Sequence, residues 1–196
     1  SIRIPYGRQS IDESDVAAVA EVLRSDWLTQ GPKVAEFEAA LAEAAGAKHA
    51  VAYANGTVAL QGAYHAAGLG PGDELVTTPI TFAATATAAI WQGAKPVFAD
   101  IDAATGNLDP KAAAAAVTPR TKVLAPVHYA GRPVDLDAFL GLAADKKLTL
   151  IEDGCHALGA SYKGKRIGSH GHMTAFSFHP VKSITTGEGG AMVTND

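Results

Sequence analysis

The sequence holds a single cysteine, Cys155, among its 196 residues. One thiol excludes an internal disulfide framework and any zinc site built on several thiolates. No apolar run reaches the roughly 18 residues that a transmembrane helix needs. No charged stretch followed by an apolar one opens the chain, so no secretory signal is visible and the expected location is the cytoplasm. Excess positive charge is lacking too: 16 basic against 20 acidic side chains give a net charge of −4. That balance argues against a nucleic-acid or membrane-surface binder, which would carry a basic stripe. Asp153, His156, His170 and His172 form no recognised ligand spacing, so no metal is expected. Neither a G-x-G-x-x-G nor a Walker pattern occurs, which weakens a nucleotide-binding reading.

What is present is alanine, at 40 positions, so the hydrophobic share of 47% overstates the bulky core. Charged residues at 18% are too few for disorder. Apolar spacing predicts helices over residues 12–25, with Ser10 as cap and Glu13 as its partner, and over 33–45. From Gly46 onward short apolar segments alternate with helical ones. Strands are expected at 49–53, 74–78, 96–101, 123–129 and 148–152, and helices at 56–67, 81–91, 110–117 and 135–146. A hairpin follows at 162–166, then strands at 175–178 and 191–194. Almost wholly apolar strands alternating with helices indicate a three-layer α/β/α fold with a mostly parallel central sheet.

In such a sheet ligands bind beyond the carboxyl ends of the strands. The polar residues expected on that rim are Asn55-Gly56-Thr57, Thr77-Thr78 with Thr81-Phe82, His128-Tyr129, Asp153 with His156, and Ser177, His179 and Lys182. Asn55-Gly56-Thr57, where a strand turns into a helix, suits an anion, although short Gly-Thr pairs are common and the motif alone favours an ordinary turn capped by Thr57. Asp153 could hold a cationic ring nitrogen or a metal, or serve as a helix cap. His156 could support it or be a structural histidine. Lys182 sits among apolar and hydroxyl neighbours without a nearby cation. So dry a loop favours a neutral amine fit for Schiff-base chemistry, against the alternative of a snorkelling surface lysine.

Ordered motifs extend from Pro5 to Asp196: Asp26-Trp27-Leu28-Thr29-Gln30-Gly31-Pro32, Asn55-Gly56-Thr57, Gly70-Pro71-Gly72-Asp73-Glu74, Thr81-Phe82, Asp100-Ile101-Asp102, Glu152-Asp153-Gly154-Cys155-His156-Ala157-Leu158-Gly159, and Phe176-Ser177-Phe178-His179 leading to Lys182. In these the chain resembles the pyridoxal-phosphate sugar aminotransferases of the DegT/DnrJ type, within the aspartate-aminotransferase-like fold. Pro5-Tyr6-Gly7-Arg8-Gln9 and the stretch from His179 to Thr186 look most like the subgroup that aminates a keto-sugar nucleotide on the route to pseudaminic acid.

The resemblance implies that residues 1–196 comprise an N-terminal segment and the large pyridoxal-phosphate-binding domain, without the small C-terminal domain of the family. It implies that Lys182 carries the cofactor as a Schiff base and that Asp153 pairs with the ring nitrogen. Gly56, Thr57 and Ser177 would hold the phosphate, Phe82 would stack on the ring, and His156 would lie close to it. Tyr6, Asp26, Trp27, Leu28 and Thr29 look similar to positions that contact the sugar nucleotide. The implied reaction is transamination of a UDP-linked 4-keto-6-deoxy amino sugar, with glutamate as donor, in a homodimer with shared active sites. Cys155 stands where a small alanine or serine is usual, with little effect expected. Related proteins that dehydrate sugars replace the lysine by histidine, and non-catalytic relatives would lose the lysine or the aspartate; both residues are present here.

Overall fold

The computed structural model describes residues 7–196. Tyr6 lies outside them. Two helices come first, α1 (Glu13–Arg24) and α2 (Pro32–Ala45). The cap of α1 is Asp12 rather than Ser10. Its carboxylate accepts the Ser14 and Asp15 amides, and the Asp15 side chain accepts the Asp12 amide in return. A carboxylate outbids a serine here because it also faces the positive end of the helix. No residue of α1 is buried, so the stripe of Val16, Val19 and Leu23 faces outward. Helix α2 ends on Gly46 in the left-handed region, at φ 68°.

The remainder alternates: β1 (His49–Tyr53), α3 (Gly56–Ala66), β2 (Glu74–Thr77), α4 (Ala84–Trp91), β3 (Lys95–Phe98), α5 (Pro110–Ala116), β4 (Thr121–Leu124), α6 (Leu136–Lys146) and β5 (Thr149–Asp153). A two-residue-stranded hairpin follows, β6 (Ser161–Tyr162) with β7 (Lys165–Arg166), then β8 (Met173–Ser177) and β9 (Gly190–Thr194). Seven strands form the central sheet in the order β1-β9-β8-β5-β4-β2-β3. Strand β9 runs antiparallel to both its neighbours, and every other pairing is parallel.

The strands feed two cores by simple alternation. Val76, Leu124, Leu150, Phe176 and Val193 point into the layer with α2, α5 and α6. Leu75, Val123, Ile151, Ala175 and Met192 point to the opposite face, against α3 and α4. Side chains in a strand alternate faces, so burial of both sets requires helices on both sides. This is the expected three-layer α/β/α architecture.

The α3/α4 layer is built from small residues, with Ala59 and Ala63 against Ala84, Ala88 and Ala89. One large polar side chain spans it. The buried Tyr64 hydroxyl donates to the Thr85 carbonyl at 2.9 Å and ties the first turn of α4 to α3. Tyr64→Phe keeps the ring and deletes that bond. It should lower unfolding stability by about 1 kcal/mol, read as a lower urea midpoint at unchanged slope.

Candidate functional site

A cavity of about 680 Å³ opens at the carboxyl ends of β1, β2, β5 and β8. Its lining includes Gly56, Thr57, Phe82, Asp153, His156, Ser177 and Lys182, which the sequence nominated as one site. Asn55, Thr81, Cys155, His179 and Glu188 complete the polar wall.

Asp153 is the last residue of β5, almost fully buried, and held from several sides. Its backbone is clamped by the segment after β4: the Asp153 amide donates to Pro126 and the His128 amide donates to Asp153. On its side chain, Oδ2 accepts the Thr85 hydroxyl at 2.7 Å and Oδ1 accepts the Cys155 amide at 3.1 Å. The carboxylate therefore reaches the cavity in a fixed plane. Its neighbours respond to its charge. Burial, with the Asp153 charge second, pushes both the Tyr64 phenol and the Cys155 thiol well above their usual range. Cys155 is therefore a protonated thiol, not a nucleophile.

At the neighbouring strand end, β1 passes into α3 through Asn55. The Asn55 side chain accepts the Val58 amide at 3.0 Å and its carbonyl accepts the Ala59 amide. The cap is thus Asn55, not Thr57. The amides of Gly56 and Thr57 have no acceptor among the described residues. Free amides at the positive end of a helix favour an anion. Strand β9 enters beside this turn, where Gly190 pairs with both Tyr53 and Ser177. A Cβ on Gly190 would overlap the Asn55 carbonyl, so only glycine lets three strand ends close on one point. A Cβ on Gly56 would stand 2.9 Å from the Ser177 Cβ and 3.0 Å from Cys155 Sγ. The two glycines keep the cradle open around the Ser177 hydroxyl.

Lys182 rises from the loop between β8 and β9, which the Lys182 amide starts by donating to the His179 carbonyl. That loop is not dry. Val181, Ser183, Ile184, Thr186 and Glu188 are exposed, while Lys182 itself is half-buried against the cavity. A hydroxyl-rich stretch stays soluble when its hydroxyls face water, so neighbour identity alone misjudged its burial. Phe82 presents a largely open ring, 72% exposed, to the same space. His156 is held below the ordinary imidazole range, by burial first and by the Lys182 ammonium second, with Asp153 opposing. Its ring is therefore neutral at neutral pH.

A flat ring bearing a phosphate, an aldehyde and a basic nitrogen matches this donor set: an anion cradle, an open aromatic face, a buried carboxylate and one amine. Residues 9–196 match the DegT/DnrJ/EryC1/StrS aminotransferase family. The chain belongs to that family. Its aminotransferases use pyridoxal 5′-phosphate. It is 45% identical over 193 residues to the UDP-4-amino-4-deoxy-L-arabinose–oxoglutarate aminotransferase of Shewanella sediminis, covering 98% of this chain and 50% of that protein. Among solved structures it superposes on Spr1654 of Streptococcus pneumoniae in its PLP form, with a TM-score of 0.96 and 33% identity, over 100% of this chain and 54% of the other. It also superposes on PseC of Helicobacter pylori, an aminotransferase of pseudaminic acid biosynthesis, with a TM-score of 0.93 and 40% identity, over 98% and 52%. The chain spans about half the length of the curated relatives it matches.

Other nominated residues fall elsewhere in this DegT-family chain. Asp26, Trp27, Leu28 and Thr29 form an exposed turn after α1, and none of them lines the cavity. Thr77, Thr78 and His128, expected on the rim, are buried. The Val134 amide donates to His128 Nδ1, so Nε2 carries the proton and donates to Glu152 Oε2 at 2.8 Å. Glu152 Oε1 takes the Gly171 amide and the Thr174 hydroxyl, which satisfies the pair inside the core. One contributor was missed: Thr85. Its signal was a polar side chain in a helix otherwise buried through alanines, four residues after Thr81.

Proposed function

We propose that this chain is the cofactor-bearing part of an aminotransferase that converts a keto-sugar nucleotide to an amino-sugar nucleotide, with glutamate as donor. The observation that carries the reading is the convergence of Lys182, buried Asp153 and the free amides of Gly56 and Thr57 on one cavity. Pyridoxal phosphate, when bound, supplies the electron sink that makes an amino acid's α-proton removable. The amides of Gly56 and Thr57 with the Ser177 hydroxyl bind its phosphate. Phe82 covers one face of the ring, and neutral His156 packs nearby without adding positive charge. Asp153 holds a proton on the ring nitrogen by a charge-assisted hydrogen bond. Lys182 would hold the cofactor through its amine, and its Nζ would be the base that takes and returns the donor's α-proton.

The substrate class rests on relatives. The Shewanella enzyme is named for a UDP-linked amino sugar and for oxoglutarate, the keto acid that glutamate yields. PseC is named for the biosynthesis of pseudaminic acid; we take the substrate to be a UDP-linked 4-keto-6-deoxy amino sugar. In this reading the exposed turn from Asp26 to Thr29, with Tyr6, contacts the sugar nucleotide in the assembled enzyme. The enzyme works in the cytoplasm as a homodimer with shared active sites, and the outward apolar side chains of α1 with Ile90, Trp91 and Phe98 support a subunit partner.

The test uses the full-length protein loaded with pyridoxal phosphate. Glutamate alone should bleach the visible absorbance of the bound cofactor and release one equivalent of 2-oxoglutarate. A UDP-4-keto-6-deoxy sugar should then restore the band and appear as the amino sugar. Bleaching without restoration by any keto-sugar nucleotide would overturn the substrate class. No bleaching by any amino donor would overturn the activity.

A further inference from the structure

Asp153 is not oriented by its own strand alone. Among the described residues, its Oδ2 has one side-chain oxygen partner, Thr85 Oγ1, at 2.7 Å. Thr85 is fully buried and sits in the first turn of α4. Its hydroxyl has three neighbours: Asp153 Oδ2, Thr81 Oγ1 at 2.7 Å and the Phe82 carbonyl at 3.2 Å. A hydroxyl has one proton to give. The carboxylate is the charged acceptor and one of the two nearest, so it takes that proton. Thr81, whose neighbour oxygen has already donated, must then donate to Thr85. The result is a directional chain, from the Thr81 hydroxyl to the Thr85 hydroxyl to Asp153 Oδ2.

The chain starts at the cavity wall. Thr81 and Phe82 both line the cavity, and the Tyr64 hydroxyl anchors the backbone of Thr85 from behind. One turn of chain therefore sets both the open aromatic face and the direction of the carboxylate. With Oδ2 held by Thr85 and Oδ1 by the Cys155 amide, the carboxylate plane cannot rotate without breaking a buried hydrogen bond.

We propose that Thr85 is a positioning residue that aims the Asp153 carboxylate at the ring nitrogen of the cofactor, with Thr81 fixing the direction of its proton. This rests on the aminotransferase reading above. It predicts that Thr85 matters to the part of cofactor binding that depends on the ring nitrogen, and not to the phosphate or the ring face.

The experiment titrates the full-length apoprotein with pyridoxal phosphate and with its 1-deaza analogue, in which a C–H group replaces the ring nitrogen. Both titrations are followed by protein fluorescence. Wild type should prefer pyridoxal phosphate. In Thr85→Val the preference should shrink by about tenfold, the size of one misdirected charge-assisted hydrogen bond, with affinity for the deaza analogue unchanged. Thr85→Ser, which keeps the hydroxyl, should restore it. An undiminished preference in Thr85→Val would overturn the proposal. So would an equal loss for both ligands, which marks a merely structural role, or a failure of Thr85→Ser to rescue. If Thr85→Val is insoluble, Thr85→Ala makes the same comparison. A wild type that binds neither ligand overturns the aminotransferase reading and this inference together, whereas a wild type with a clear preference that Thr85→Val retains overturns only the inference.

Discussion

Lys182→Ala should bind pyridoxal phosphate reversibly and show no turnover. Lys182 is the lysine that lines the cavity. Lys122, Lys163 and Lys165 are committed elsewhere or distant from it. Lys122 donates to the Gly68 carbonyl at 2.6 Å, and Lys163 pairs with Asp137. Lys165 lies exposed in the hairpin strand β7. Borohydride reduction of the loaded wild type, followed by proteolysis and mass mapping, should therefore place the cofactor on the peptide containing Lys182. In Lys182→Ala the same treatment should label nothing. The phosphate cradle is untouched by the substitution, so a fluorescence titration should still find saturable binding. Label on Lys122, Lys163 or Lys165 would refute the assignment, and so would measurable steady-state turnover by the alanine variant.

Much of the fold was legible because its signals are local. Short apolar runs bounded by glycine and proline marked every strand of the sheet, and β1 has the predicted bounds of 49–53. Where bounds moved, a backbone rule explains it. The strand expected over 123–129 ends at Leu124. Pro126 cannot donate into a ladder, and beyond it only Val127 bridges, to Asp153. The helix expected from Thr81 begins at Ala84 because the Thr85 and Ala86 amides reach back only three residues, to the Phe82 and Ala83 carbonyls, and the Thr87 amide is the first to reach back four, to Ala83. The antiparallel course of β9 was not legible, since an apolar strand reads alike in either direction. That course is what delivers Gly190 to the Asn55-Gly56 turn.

The cavity residues were legible as motifs and their supports were not. Asp153 and Ser177 sit at strand ends, Gly56 and Thr57 open α3 and Lys182 lies in a loop, where polar residues among apolar segments stand out. Thr85 lies inside α4 and Glu152 inside β5, with His128 in the segment after β4, and their value comes from partners 68 and 24 residues away. Periodicity carries no information about such pairings. His128 read as a rim residue because it follows an apolar segment. It turns inward because Glu152 and the Val134 amide offer it two buried partners.

Asp153→Asn should fold, bind cofactor and lose at least about a hundredfold in the half-reaction rate, or about 3 kcal/mol in the barrier. The structure accommodates the amide. Oδ1 can keep the Cys155 amide, while an Nδ2–H group facing Thr85 needs an acceptor instead of a donor. Thr85 can supply one by turning its hydroxyl to the Phe82 carbonyl, 3.2 Å away. No buried polar atom is then orphaned, and the urea midpoint should stay near that of wild type. In the proposed role, what disappears is the negative charge that would keep a proton on the ring nitrogen as negative charge develops at the reacting carbon. Single-turnover absorbance with glutamate at saturating cofactor separates the two effects: affinity for the cofactor falls by about tenfold, the share of the ring-nitrogen bond, while the rate falls by the full hundredfold. A rate within a few-fold of wild type would refute the electrostatic role of Asp153. A collapse of the urea midpoint would show that the carboxylate serves the fold instead of the chemistry.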